Sequence, residues 1–185
     1  MKEKKPYRLG ILVGRFQTLH TGHEDMIRQA AALCETVGIF VGSSQESGTS
    51  RNPFSYELRK EMLTAVFGDA VTVHPLPDAG LGNTAAWGDY VLRNVRERFG
   101  RLPDLIVSGR EARRTSWFDG EEGGHAAELY VPKTVEISAS ELRGYLLSDD
   151  RESWARWVNP ALLPLYPKLR EAVLLAQGSD DTASV

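Results

Sequence analysis

The order of apolar runs and amphipathic segments predicts an α/β chain: a doubly wound parallel sheet with a small helical part at its carboxyl end. Three observations carry that expectation. Five short apolar runs are spread from Leu9 to Val131. Stretches with apolar residues at helical spacing separate the first four of them. After about residue 140 only helical patterns follow.

Leu9 to Val13 is an apolar run closed by Gly14, the pattern of a strand buried on both faces. Glu24 to Cys34 sets Met26/Ile27, Ala30 and Leu33/Cys34 at helical spacing, which predicts an amphipathic helix. Val37 to Val41 is a second buried strand, followed by the polar loop Gly42 to Asn52. Pro53 and Ser55 open a helix whose stripe is Leu58, Met62/Leu63 and Val66/Phe67, stopped by Gly68. Val71 to His74 is a third strand, closed by Pro75 and Pro77. The loop Asp78 to Asn83 leads to a helix through Trp87, Val91, Val95 and Phe99, ended by Gly100. The charges from Arg93 to Arg101 form its outer face.

Leu105 to Val107 is a fourth strand and Leu129 to Val131 a fifth. Between them, Glu111 to Gly124 is polar and without period, an exposed loop. Ser140 to Leu147, Glu152 to Val158 and Leu162 to Leu175 read as terminal helices. Residues 1–177 therefore read as one domain, helical from about 140, and the small polar residues 178–185 as a disordered tail.

A length of 185 residues suits one well-cored domain. A net charge of −3 argues against a general nucleic-acid binder. Cys34 is the single cysteine; on the inner stripe of its helix it reads as core, and it fits a reducing compartment. No apolar run approaches a membrane span, and Leu9 to Val13 is too short for a signal-peptide core. The expectation is a cytoplasmic protein with no nucleic-acid partner and no membrane partner. A homo-oligomer is left open.

Doubly wound sheets bind ligands beyond the carboxyl ends of their strands, so the loops there matter most. Gly14-Arg-Phe-Gln-Thr-Leu-His-Thr-Gly-His23 follows the first strand directly. His20 and His23 flank Gly22 at a helix entrance, where bare N–H groups and a positive dipole end suit phosphate. A second signal, Ile137-Ser-Ala-Ser-Glu-Leu-Arg143, opens a late helix. Ser138 and Ser140 supply hydroxyls there, and Arg143 a forked cation.

Plainer readings stand beside these. The histidines could cap a helix or belong to a zinc site, although no third ligand and no HExxH pattern accompanies them. Arg143 and Arg51 could be solvated charges, and Asn83 a helix cap. Trp87 shares a stripe with Val91 and Val95, so it could be core. Gly80-Leu-Gly82 lacks the third glycine of a dinucleotide fingerprint, and His74 and His125 belong to no pattern.

The early HxGH, His20 to His23, with the late Ser138 to Arg143 segment resembles the nucleotidylyltransferase superfamily. Gly14-Arg-Phe-Gln17, Gly42-Ser-Ser-Gln45 and Arg51-Asn-Pro-Phe54 are similar to the archaeal-type nicotinamide mononucleotide (NMN) adenylyltransferases. The resemblance runs in order from about Leu9 to Leu165. Thr18 stands where that family usually has proline, Ala139-Ser140 where Gly-Thr is usual, and Arg110 where asparagine commonly follows Ser-Gly.

The resemblance implies a Rossmann-like nucleotidylyltransferase fold and adenylyl transfer from ATP to NMN, giving NAD and pyrophosphate. It implies that His20, His23 and Arg143 act on the phosphates. Gly14, Arg15, Phe16, Gln17, Gly22, Ser108, Gly109, Ser138 and Ser140 would bind ATP. Ser43, Arg51, Asn83 and Trp87 would bind NMN, with Arg51 on its phosphate, Asn83 on the carboxamide and Trp87 stacked on the ring. Mg²⁺ would bridge phosphate oxygens, held by substrate and water rather than by protein ligands. The alternatives are transfer to another phosphate (phosphopantetheine adenylyl or polyol-phosphate cytidylyl transfer) and a non-catalytic nucleotide-sensing module.

Overall fold

The apolar runs become β1 (Tyr7–Gly14), β2 (Cys34–Gly42), β3 (Thr72–Leu76), β4 (Leu105–Ser108) and β5 (Ala127–Tyr130). They pair in parallel in the order β3-β2-β1-β4-β5. The computed structural model describes residues 4–82, 84–109, 117–118, 126–132 and 135–182. The chain steps from β1 out to β3 and then crosses back to β4. Strand order therefore reverses between β1 and β4, the place where such sheets open a ligand crevice.

Alternate residues of the central strands feed two cores, as the period of a strand requires. Val37, Ile39 and Val41 of β2 and Leu105 and Val107 of β4 face one side. There they meet α1 (Thr21–Leu33), α2 (Tyr56–Phe67) and the terminal helices α4 (Ala139–Leu147), α5 (Arg151–Ala155) and α6 (Tyr166–Thr182). Leu9, Ile11, Phe40 and Ile106 face the other side, against Val91, Leu92 and Val95 of α3 (Ala85–Phe99) and against Phe118. The helical end is part of the first core. Trp154 is fully buried and packs edge-on to Tyr166, and the Thr21 amide at the start of α1 donates to the Trp157 carbonyl at 2.9 Å.

Four boundary differences from the sequence reading bear on the packing. Cys34 opens β2 instead of closing α1, and it is buried in the core as expected. Burial, helped by Asp104, pushes its thiol up to about 11. Strand β3 runs through Pro75, which pairs with Val41, rather than closing before it. Proline is tolerated there because β3 is the sheet's edge and one side of it needs no ladder. The helix read over Glu152 to Val158 is the shorter α5, and Pro160–Leu165 is a separate 3-10 turn before α6. Helix α6 continues to Thr182, into the segment read as a tail. Most of the loop Glu111 to Gly124, with Arg110 and His125, lies outside the described residues. No helix among the described residues is long and apolar enough to cross a membrane.

Candidate active site

The carboxyl ends of β1 and β4 and the loops after β2 and β3 enclose a cleft of about 870 Å³, the size of a small-molecule site. The loop after β1 brings Gly14, Arg15, Phe16, Gln17, His20, Gly22 and His23 to its wall. Ser43 and Arg51 come from the loop after β2, and Trp87 from the first turn of α3. Ser108 and Gly109 follow β4, and Ser138 precedes α4. The Ser108 hydroxyl is buried and finds no hydrogen-bond partner among the described residues. Ser140 and Arg143 do not line the cleft, and Asn83 lies outside the described residues.

His20 is the N-cap of α1: its Nδ1 accepts the Gly22 amide at 3.1 Å. That bond leaves the ring's proton for Nε2 in the neutral tautomer. The His23 ring lies 3.9 Å from His20 and 5.1 Å from Phe16, centroid to centroid. Gly22 is needed for this closeness. A Cβ there would come within 2.9 Å of Val135 and 3.1 Å of the His20 ring. Capping and cleft-lining thus coincide in one histidine.

Arg143 stands behind the cleft wall. It donates to the Gln17 carbonyl and, at 3.2 Å, to Ser140 Oγ. Burial, with repulsion from Arg15, holds its pKa below the usual arginine value. Ser138 is the N-cap of α4 in a reciprocal box with Glu141: the Glu141 amide donates to Ser138 Oγ at 3.2 Å, and the Ser138 amide to the Glu141 carboxylate at 2.8 Å.

The loop after β2 is held by buried polar groups. Gln17 clasps Phe54 from both sides, its amide donating to the Phe54 carbonyl at 3.0 Å and accepting the Phe54 N–H at 2.9 Å. Buried Asn52 accepts from Arg15 at 3.4 Å and donates to Glu46. Ser43 has a positive φ of 48° and donates to Asp78 at 2.7 Å, while the Asp78 amide donates to Gln45 at 2.9 Å. On the far wall, the half-buried Trp87 ring lies 4.2 Å from Trp117 at 47°. Gly88 beside it is buried, and a Cβ there would strike the Trp117 carbonyl.

A profile described as cytidylyltransferase-like matches residues 11–144, from β1 into α4. The chain belongs to this family. Curated relatives named nicotinamide-nucleotide adenylyltransferase align over most of its length. The one from Thermococcus onnurineus is 37% identical over 87% of this chain and 83% of its own. The one from Methanoculleus marisnigri is 34% identical over 92% of this chain and 98% of its own. Among solved structures, a bifunctional NMN adenylyltransferase/ADP ribose pyrophosphatase from Francisella tularensis superposes with a TM-score of 0.76 at 20% identity. It covers 96% of this chain, which spans only 55% of that longer protein. A second structure of it, with AMP and a manganese ion, superposes with a TM-score of 0.72, covering 94% of this chain and 53% of its own at 20% identity. These two likenesses show a shared fold.

Sequence reasoning missed Asn52, Arg59, Asp78 and Trp117, all of which build or line the cleft. Arg59 was the most findable, because it lies three and four residues before Met62 and Leu63, on the buried side of α2. An arginine on a buried stripe needs internal acceptors. Asp78 and Trp117 carry no local signal, since their partners come from distant segments.

Proposed function

We propose that the chain joins ATP and NMN to give NAD and pyrophosphate. An oxygen of the NMN phosphate forms a bond to the α-phosphorus of ATP, and the bond from that phosphorus to the pyrophosphate oxygen breaks in line. The observation that carries the reading is the stacked His20–His23 pair at the mouth of α1, in one cleft with Arg15, Arg51 and Trp87. The relatives' shared activity supports it.

The reaction needs no protein nucleophile, only placement of two phosphates and donors where charge develops. His20 and His23 take the triphosphate at the N-terminus of α1, with His23 beside the α-phosphate. Arg15 and Ser138 flank them, and Arg143 with Ser140 supports the β- and γ-phosphate end from behind Gln17. The orphan hydroxyl of Ser108, with Gly109, offers a polar partner to the adenosine part. Arg51 takes the NMN phosphate, Ser43 lies beside it, Trp87 stacks on the ring, and Asn83 bonds the carboxamide.

Among the described residues no three His, Cys, Asp or Glu side chains gather as metal ligands would. The ion expected is Mg²⁺, which prefers phosphate oxygens and water to a protein cage. When bound, the ion would neutralise charge on the departing pyrophosphate. The manganese in the Francisella structure supports the use of a divalent ion. The buried free thiol of Cys34 agrees with a cytoplasmic setting.

The test is to mix the purified protein with Mg²⁺, ATP and NMN and to follow NAD and pyrophosphate together. Equal amounts of both products are expected. No pyrophosphate would exclude adenylyl transfer, and pyrophosphate formed only with phosphopantetheine or with CTP and a polyol phosphate would change the acceptor.

A further inference from the structure

Arg59 is fully buried on α2 and spends its guanidinium on five backbone carbonyls. Nε donates to Ser55 at 3.2 Å, on its own helix cap. Nη1 donates to Arg15 at 3.1 Å and Gly42 at 2.8 Å. Nη2 donates to Ser43 at 3.0 Å and Glu46 at 3.3 Å. Burying a cation against uncharged carbonyls is expensive, so the arrangement asks for a reason beyond stability. Burial brings its pKa down to about 10, still well above neutrality.

The placement supplies that reason. The β1–β2 ladder ends at the Gly14–Val41 pair. The next residues along the two chains, Arg15 just past β1 and Gly42 at the end of β2, are bridged by Arg59 Nη1. The guanidinium thus extends the tie between neighbouring strands past the point where their own hydrogen bonds stop. Beyond that point one loop carries Arg15, Phe16 and Gln17, and the other carries Ser43 and Arg51.

We infer that Arg59 is a positioning residue: it fixes the loop after β1 to the loop after β2 and so sets the distance between the two phosphates that react. Its catalytic half rests on the adenylyl transfer proposed above, and its structural half on the hydrogen bonds alone. Lysine in its place has three donors on one atom and can serve only some of these carbonyls.

The experiment compares wild type with Arg59→Lys and Arg59→Met, well below each protein's melting temperature. Dissociation constants for ATP and for NMN are measured singly, kcat is measured with both saturating, and hydrogen exchange is followed over residues 14–18 and 42–47. We expect kcat to fall about 10²-fold in Arg59→Met, as for a misplaced reacting pair, while each substrate alone binds within a few-fold of wild type. Arg59→Lys should recover part of the loss. Exchange should rise in both loops together and stay unchanged in α6.

A lower melting temperature with wild-type kcat overturns the inference, as does faster exchange in one loop only. Should neither variant fold, the wild-type protein decides: the two loops must open as one unit with α2, and independent opening rejects the tie. Should wild type make no NAD, the adenylyl-transfer reading fails, and the exchange result alone decides Arg59.

Discussion

The Arg143 guanidinium donates to the backbone carbonyl of Gln17, joining segments 126 residues apart. Gln17 is in turn clasped to Phe54, so the late helix, the first loop and the loop after β2 form one connected unit. A forked cation is suited to this, because it can hold Gln17 and Ser140 at once. Replacing Arg143 by alanine should lower kcat/KM by about 10²-fold or more. It should also destabilise the fold by about 1.5 kcal/mol, the lower range for a hydrogen bond from a charged group. Arg143→Lys should recover more stability than activity. Steady-state kinetics beside thermal unfolding measures both, and an alanine variant with wild-type kcat/KM would return Arg143 to a purely structural role.

The two histidines should separate by assay. His20 caps α1 with its Nδ1, so His20→Ala should cost about 1 kcal/mol of stability as well as activity. His20→Asn should restore the cap and little of the rate. The cap bond comes from His20, while the His23 ring packs on His20 and Phe16. His23→Ala should therefore leave the melting temperature near wild type and cut turnover by roughly 10²-fold. Calorimetry and pyrophosphate release on the same preparations check the split; a stable, fully active His23→Ala protein would remove it from the phosphate site.

Trp87 carries two claims that one substitution can divide. Its ring packs on Trp117 and faces the cleft, so it belongs partly to the second core and partly to the site. If it stacks on the nicotinamide, Trp87→Ala raises KM for NMN and spares that for ATP, whereas Trp87→Phe stays close to wild type. Equal losses for both substrates, with a large fall in melting temperature, assign it to the core instead.

What was legible follows physical range. The middles of β1, β2 and β4 (9–12, 37–41 and 105–107) are buried on both faces, so their residues are apolar or glycine without interruption and mark themselves. Helix starts at Ser55 and stops at Gly68 and Gly100 show in the sequence because caps are local chemistry. The HxGH and the late serine–arginine segment were visible for the same reason, each being a helix N-terminus with its own donors. Edge strand β3 misled, because Pro75 breaks a local pattern while the missing hydrogen bond falls on the sheet's open side. Arg59, Asn52 and Asp78 were invisible as a network. Their meaning lies in carbonyls and side chains that only the folded loops bring together.

His74 gives a pH effect separate from the site. It lies on β3 with its ring 5.3 Å from Phe40 and 5.2 Å from Phe99, and hydrogen-bonds Thr72 Oγ1 at 3.1 Å. Burial first, then Arg98 and Lys60, hold its pKa below the ordinary histidine value. The unfolded chain protonates His74 near pH ~6.5, before the folded chain does, so the unfolded state binds more protons in the interval between the two values. Stability therefore falls as pH drops through about 6.5 and levels off once the folded ring is also protonated. His74→Gln keeps a polar partner for Thr72 but cannot titrate. Between about pH 7 and pH 5 its melting temperature should decline less steeply than that of wild type, with the two curves parallel above pH ~7.5. Parallel curves through the whole range would mean that His74 has the same pKa folded and unfolded, and the rings of Phe40 and Phe99 would then exert no pressure on its charge.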